Sequence, residues 1–186
     1  MSPMEILAAG LSALGVWLTA RRKLLCWPVS LLAALLYGVV FFDARLYADM
    51  ALQAVFAAFL LYGWWHWARN GRRAEGAVSI VTPSRLHLSA AVLAGLLGGL
   101  AWGCVLATWT DDPVPFMDAA LSSASIVAQF WMARRYRLCW AAWIVIDGLY
   151  VGLFCTRGLY LTALLYGLFV GLAWDGWRRW HSRLWR

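Results

Sequence analysis

Seven long apolar stretches, separated by short polar segments, account for nearly all of the 186-residue chain. They cover residues 4–20, 24–42, 47–68, 86–108, 116–133, 138–155 and 159–180. Each is close to the roughly 20 residues that an α-helix needs to cross a bilayer. The pattern therefore predicts an all-α integral membrane protein, with seven transmembrane helices in a single domain over residues 1–186.

Composition agrees with this interpretation. The chain is 63% hydrophobic and 13% charged, whereas soluble domains contain about 25% charged residues. The longest segment between apolar stretches is NGRRAEGAVSIVTPSR, residues 70–85. That length leaves no room for a soluble catalytic, nucleotide-binding or receptor domain between the helices.

The basic residues lie almost entirely on one side of the predicted bundle. The net charge of +7 could suggest a nucleic-acid partner, but the placement of the charges argues against one. Fourteen basic residues follow the first, third, fifth and seventh stretches: Arg21, Arg22, Lys23, Arg69, Arg72, Arg73, Arg85, Arg134, Arg135, Arg137, Arg178, Arg179, Arg183 and Arg186. The opposite side has Arg45 and Arg157. The positive-inside rule then predicts a cytoplasmic C-terminus and an external N-terminus.

The chain also contains an internal repeat. The segment ARRKLLCW, residues 20–27, returns as ARRYRLCW, residues 133–140. The same offset aligns residues 5–67 with 118–180 without a gap, and it pairs identical rare residues: Cys26/Cys139, Trp27/Trp140, Trp64/Trp177 and Trp67/Trp180. Chance pairing of two apolar helices rarely matches Trp and Cys in one register, so we interpret the pattern as a duplication.

Each repeat unit holds three predicted helices. Two such units joined directly would have opposite orientations, but the unpaired stretch 86–108 brings the chain back across the membrane. This linker helix lets the two units run parallel, in a 3+1+3 arrangement of the SWEET type, with a substrate site between the repeats near the bilayer midplane.

One face of the sixth stretch is the strongest candidate site. Trp140, Trp143, Asp147 and Tyr150 are spaced three, four and three residues apart, so they share a helix face. A carboxylate in mid-membrane is costly against lipid, and it should therefore face the bundle interior. There it is either protonated, paired with an arginine, or available to a cationic ligand. Indole and phenol rings beside an acid can bind a planar cation. The aligned position in the first repeat is Ala34, which predicts an asymmetric site.

Four further polar residues are candidates for substrate contacts: Gln53, Gln129, Ser125 and Tyr166. The alternative role for such groups is hydrogen bonding between helices, typically worth about 1 kcal/mol or less. The glycines Gly38, Gly63, Gly167 and Gly176 are predicted to permit close helix approach.

Catalytic and metal-binding patterns are not found in the sequence. The three histidines, His66, His87 and His181, fall near predicted cytoplasmic helix ends, so a serine–histidine or metal–histidine site at depth is not expected. No phosphate-binding loop is present. We therefore predict a protein that is not an enzyme and that has no cofactor or bound metal.

Several motifs resemble the PnuC family of bacterial vitamin transporters: DARLYADMALQ, LYGWWHW, CWAAWIVIDGLY, RGLYLTALLYG and GWRRW. The resemblance extends over nearly all of the chain. It implies a SWEET-like fold in the inner membrane, a homotrimer, and facilitated diffusion of an unphosphorylated vitamin that a cytoplasmic kinase then traps.

The resemblance also bears on the substrate. Nicotinamide riboside carriers often have a pattern resembling Trp-x-x-Trp-x-x-x-Asn in this region, whereas the present chain has Asp147 in place of the amide. Nicotinamide riboside is the expected substrate, and thiamine is the alternative, because both are planar cations. Riboflavin is neutral and gains less from an acid. A membrane scaffold without transport activity is the remaining alternative.

Overall fold

In the computed structural model, residues 3–43, 47–70, 79–110, 114–156, 158 and 160–181 are described. This part of the chain forms seven helices: α1 (Pro3–Ala20), α2 (Cys26–Asp43), α3 (Tyr47–Asn70), α4 (Arg85–Trp109), α5 (Pro115–Ala133), α6 (Leu138–Thr156) and α7 (Tyr160–His181). The predicted all-α class with seven helices is confirmed. Six of the basic residues used to predict sidedness lie outside the described residues: Arg45, Arg72, Arg73, Arg157, Arg183 and Arg186.

The outer surface of the bundle is apolar. Among the described helices α1, α2, α4 and α6 are long and apolar enough to span a membrane by length and composition. Large hydrophobic side chains point outward, with Leu96 67% and Leu164 71% exposed. Such an exterior would be unfavourable in water but suits the hydrocarbon core of a bilayer. The protein is therefore a multi-pass membrane protein.

The two ARR segments form matching turns at the ends of α1 and α5. Arg22 and Arg135 have positive φ angles of 57° and 66°. The amide of Arg22 donates to the Thr19 carbonyl and the next amide donates to Leu18, at 2.9 and 3.1 Å. The amides of residues 135 and 136 make equivalent bonds to residues 132 and 131. Both helices thus end in a Schellman motif, with arginine where glycine is usual.

The helices pack in two linked groups. Helix α2 packs against both α1 and α3, and α6 packs against both α5 and α7. The groups meet where α1 contacts α7 and where α3 contacts α5. Helix α4 packs against α5 alone among the described helices. The Ser123 hydroxyl on α5 donates to the Gly95 carbonyl on α4 at 2.5 Å, which fixes this contact.

The centre of the core is formed by four fully buried indoles, those of Trp27, Trp67, Trp140 and Trp180. Trp27 meets Trp67 edge to face with ring centroids 5.1 Å apart, and Trp140 meets Trp180 in the same way at 5.5 Å. The Trp67 and Trp180 centroids are 6.2 Å apart and join the two pairs. We call these four residues the tryptophan cluster.

Two of the predicted close-approach glycines make room for this cluster. A Cβ atom at Gly63 would overlap the Trp27 ring, and one at Gly176 would lie 2.6 Å from the Trp140 ring. The prediction is wrong for Gly38 and Gly167, where a Cβ atom would meet nothing within 4 Å. Of these four glycines, only the pair beneath the indoles requires the absence of a side chain.

The segment before α4 is attached to the turn between α5 and α6. The Val81 amide donates to the Arg135 carbonyl at 3.1 Å, and the Arg135 guanidinium donates to the Ser79 hydroxyl at 2.9 Å. Burial lowers the pKa of Arg135, and the charge of Arg134 adds to the effect. The hydroxyl contact offsets part of the cost of burying this charge.

Candidate substrate-binding site

A cavity of about 660 Å³ lies between the two helix groups. It is lined by α1, α2, α3, α5, α6 and α7, while no described residue of α4 reaches it. All eight predicted site residues line it: Gln53, Ser125, Gln129, Trp140, Trp143, Asp147, Tyr150 and Tyr166. The volume is within the range of small-molecule sites, about 300–1,000 Å³. The structure thus brings the predicted residues together, and their role in binding stays a prediction.

Asp147 is the buried acid of the cavity. Its side chain is 6% exposed, and no hydrogen-bond or ion-pair partner for it is found within the described part of the chain. A buried carboxylate is costly unless a partner compensates it. Asp147 therefore lies in the cavity without a compensating charge from any of the described residues.

The indoles of Trp140 and Trp143 precede this acid on the same face of α6 and line the same cavity. Their Nε1 atoms are buried and have no hydrogen-bond acceptor among the described residues. Unpaired buried donors are uncommon in folded proteins, and each calls for an explanation. A ligand oxygen in the cavity would satisfy them. Since Trp140 is also packed in the tryptophan cluster, its ring is held rigidly.

Further aromatic rings lie between Asp147 and the C-terminal end of α6, and on the first half of α7. The Tyr150 and Tyr166 rings have centroids 4.9 Å apart, and both contact Phe154, at 5.8 and 5.2 Å. Phe169 meets the Tyr166 ring edge to face at 5.7 Å. These rings offer flat apolar faces with hydroxyl groups at their edges, a combination suited to a planar, partly polar ligand.

The remaining polar candidates differ in what they can offer. Gln129 is 6% exposed, and its Nε2 atom has no partner in the described structure. Its amide is therefore available to a ligand. The Ser125 hydroxyl donates to the Leu121 carbonyl of its own helix at 2.8 Å, so its proton is already used. Gln53 is half-buried on α3, at the position aligned with Tyr166.

Among the described residues, the charged side chains that line the cavity are both acidic. Glu5 and Asp147 line it, and none of the described arginine, lysine or histidine side chains does. Within the same described residues, no group of three or more metal-ligating side chains lies close enough together to hold a metal ion. The site can therefore attract a cation and stack a ring, whereas a phosphate would meet only like charge.

Some lining residues were not singled out from the sequence. Phe41, Phe56, Phe154 and Phe169 add aromatic surface on both sides of the cavity. The repeat contained the signal, since Phe41 aligns with Phe154 and Phe56 with Phe169 at the common offset. Pairs of identical aromatic residues in both units therefore indicated the interior.

Comparison with known proteins agrees with this architecture. The profile of the nicotinamide mononucleotide transporter family matches residues 2–182. The nicotinamide riboside transporter PnuC of Escherichia coli is 28% identical over 196 residues, which cover 92% of this chain and 81% of the relative. The riboflavin/roseoflavin transporter RibM of Streptomyces davaonensis is 32% identical over 168 residues, covering 88% and 77%.

The fold has a counterpart among solved structures. The crystal structure of the vitamin B3 transporter PnuC superposes with a TM-score of 0.79 at 23% identity, covering 96% of this chain and 80% of that one. The likeness shows a common fold. Together with the family profile, it confirms the relationship indicated by the sequence motifs. The chain belongs to the nicotinamide mononucleotide transporter family, which includes the PnuC vitamin transporters.

Proposed function

We propose that this vitamin transporter imports nicotinamide riboside by facilitated diffusion. The observation that carries the proposal is the buried Asp147, which has no partner among the described residues and shares a helix face with two indoles, in a cavity whose described charged lining residues are both acidic. Nicotinamide riboside has a planar pyridinium ring, and such a cation gains from both the carboxylate and the aromatic faces. The E. coli relative is named as a transporter of the same compound.

Each part of the substrate has a suitable partner in the cavity. We assign the pyridinium ring to Trp140, Trp143 and Asp147, with Tyr150 closing the aromatic wall. The ribose hydroxyls can bond to Gln129 and to the other polar groups of the lining, Gln53, Ser125 and Tyr166. A phosphorylated nucleotide is disfavoured by the acidic lining. The transported form is therefore the riboside, and a cytoplasmic kinase would trap it afterwards.

The transport mechanism we propose is alternating access in a 3+1+3 arrangement. The repeats span residues 5–67 and 118–180, and residues 86–108 form the linker helix. The packing supports this assignment, because the α1–α7 contact is equivalent to the α5–α3 contact under the repeat. All seven helices would then cross the membrane, and rocking of the two groups would expose the cavity to each side in turn.

The location we propose is the bacterial inner membrane, with the N-terminus outside and the C-terminus in the cytoplasm. The arginines of both Schellman turns support this orientation, since positive residues favour the cytoplasmic side. Accessibility of single introduced cysteines at each helix end would test it. The homotrimer implied by the family resemblance can be tested by the mass of the detergent-solubilised particle.

Riboflavin is the second candidate substrate, because the 32% identical relative RibM is named as a riboflavin transporter. The phenylalanines on both sides of the cavity would suit its larger ring system. Thiamine stays the cationic alternative. Charge distinguishes the two cations from riboflavin: replacement of Asp147 should weaken binding of either cation and leave riboflavin binding largely unaffected.

Calorimetric titration of the purified protein with all three compounds tests the proposal. We expect saturable binding of nicotinamide riboside, and weaker binding by Asp147→Asn. Asp175→Asn is the matched control, since Asp175 is a solvent-exposed acid paired with Arg179 at 2.6 Å and lies outside the cavity. If folded wild-type protein binds thiamine or riboflavin but not the riboside, the substrate assignment is wrong. Binding of none of the three would support the scaffold alternative.

A further inference from the structure

The second acid of the cavity has no role in the site assigned above. Glu5 lies in the first turn of α1, yet it lines the same cavity as Asp147. Across from it on α2 is Tyr37, which lies within electrostatic range of the Glu5 carboxylate. Tyr37 is in turn within range of Tyr166, which is close to Asp147. Tyr37 and Tyr166 also line the cavity, so each of the two acids has a tyrosine in its neighbourhood.

Helix geometry places Glu5 well above Asp147 along the membrane normal. Glu5 is fifteen residues from the end of α1 at Ala20, and Asp147 is nine residues from the start of α6 at Leu138. At about 1.5 Å per residue, the acids lie roughly 22 and 14 Å from the level of the matching turns. If those turns are cytoplasmic, as proposed, Glu5 is at the external mouth and Asp147 is about 8 Å deeper.

We propose that Glu5 is a specificity-determining residue that draws the cationic substrate into the external mouth before Asp147 binds it. This inference rests on the proposed function and orientation. The mouth needs an attractive charge because a cation leaving water loses hydration before it reaches the buried acid. Gln129, a buried amide without a partner among the described residues, lies near the turn end of the same cavity and indicates that a polar ligand is received deeper than Glu5.

The repeat offers a control for the ordinary role of such a residue. An acid in the first turn of a helix stabilises it through the helix dipole. Asp118 aligns with Glu5 and lies in the first turn of α5, but it is absent from the cavity lining. Replacement of either acid removes a dipole interaction, whereas only Glu5→Gln removes charge from the cavity.

Initial rates of nicotinamide riboside uptake into proteoliposomes test the proposal. We expect Glu5→Gln to raise KM about three- to tenfold, as for removal of a steering charge, with Vmax unchanged because Asp147 remains. The wild-type KM should rise with ionic strength, since salt screens an exposed charge, and the variant should lose much of this dependence. Asp118→Asn should behave as wild type. Thermal unfolding checks that each variant is folded.

Two results would overturn the assignment. The first is an unchanged KM in folded Glu5→Gln, or an equal rise in Asp118→Asn, which would indicate a helix-dipole effect. The second needs no variant: a wild-type KM independent of external salt would show that no exposed charge assists entry. If wild-type protein neither binds nor transports the riboside, the proposed function fails as well, so the two failures are distinguishable.

Discussion

The two repeats share a scaffold and differ in chemistry. In both, the turn after the first helix contains an arginine with a left-handed backbone conformation, Arg22 or Arg135. Both seat an indole of the second helix on a glycine of the third. These equivalent contacts lie near the turns, where the chain must be held in one shape. The features that position the helices are therefore the same in the two halves of the chain.

The differences lie in the cavity and around it. Asp147 occupies the position that Ala34 has in the first repeat. The Trp67 indole donates to the Ala133 carbonyl at 3.1 Å, whereas the aligned Trp180 has no acceptor among the described residues. Helix α4 covers α5 and leaves α1 without an equivalent neighbour. These differences make the cavity and its surroundings asymmetric between the two halves.

Moving the acid to the other repeat should give the largest effect. We expect Asp147→Ala to weaken nicotinamide riboside binding about 10- to 100-fold, since an interaction with a charged group contributes about 1.5–3 kcal/mol. Adding Ala34→Asp should recover part of the loss, because Ala34 also lines the cavity. Calorimetry measures both changes. No recovery in a folded double variant would mean that the two sides of the cavity are not equivalent for the cation.

Adding a methyl group at the two glycines beneath the indoles should have the next largest effect, on stability. Gly63→Ala and Gly176→Ala force an indole to move, and overpacking of this kind typically costs about 1–3 kcal/mol of stability. We expect a lower thermal unfolding midpoint for each, with weaker ligand binding for Gly176→Ala because Trp140 belongs to the proposed site.

Gly38→Ala is the matched control for both glycine variants, since a Cβ atom there meets nothing within 4 Å. It should leave the midpoint unchanged or raise it, because alanine favours the helix. Equal decreases of the unfolding midpoint for all three glycine variants would contradict the proposed packing role of Gly63 and Gly176.

Removing the indole N–H donors of the tryptophan cluster should give the smallest difference in stability. Trp67→Phe removes the bond to the Ala133 carbonyl, while Trp180→Phe removes a donor without a partner. The two substitutions lose similar ring area in the same cluster. We therefore expect Trp67→Phe to be the less stable by about 1 kcal/mol, measured by thermal unfolding in one detergent. The reverse order would show that the Ala133 bond does not stabilise the cluster.

The sequence predicted the helices and the inward-facing residues well, because both depend on simple periodicity. Apolar length defines a membrane helix, and a buried acid such as Asp147 can hardly face lipid. The repeat then related residues far apart in the chain. Packing between helices was harder to predict, because a glycine in the sequence does not reveal which residue of another helix lies opposite it. The error at Gly38 and Gly167 shows this.

The turn geometry and the rotation of the helices were also beyond sequence reasoning. Glycine is the residue expected at a left-handed helix end, so nothing pointed to Arg22 or Arg135. The aligned acids Glu5 and Asp118 looked alike, yet only Glu5 reaches the cavity. The rotation of a helix about its own axis depends on all of the helices that it packs against. Helix α5 has one more such neighbour than α1.

The tryptophan cluster has a spectroscopic consequence. Four indoles with neighbouring centroids 5.1–6.2 Å apart are close enough for their electronic transitions to couple. Any movement that separates the two helix groups must change the distance between Trp67 and Trp180, because that pair joins them. The near-ultraviolet circular dichroism of the unlabelled protein would then report the proposed alternating-access cycle directly.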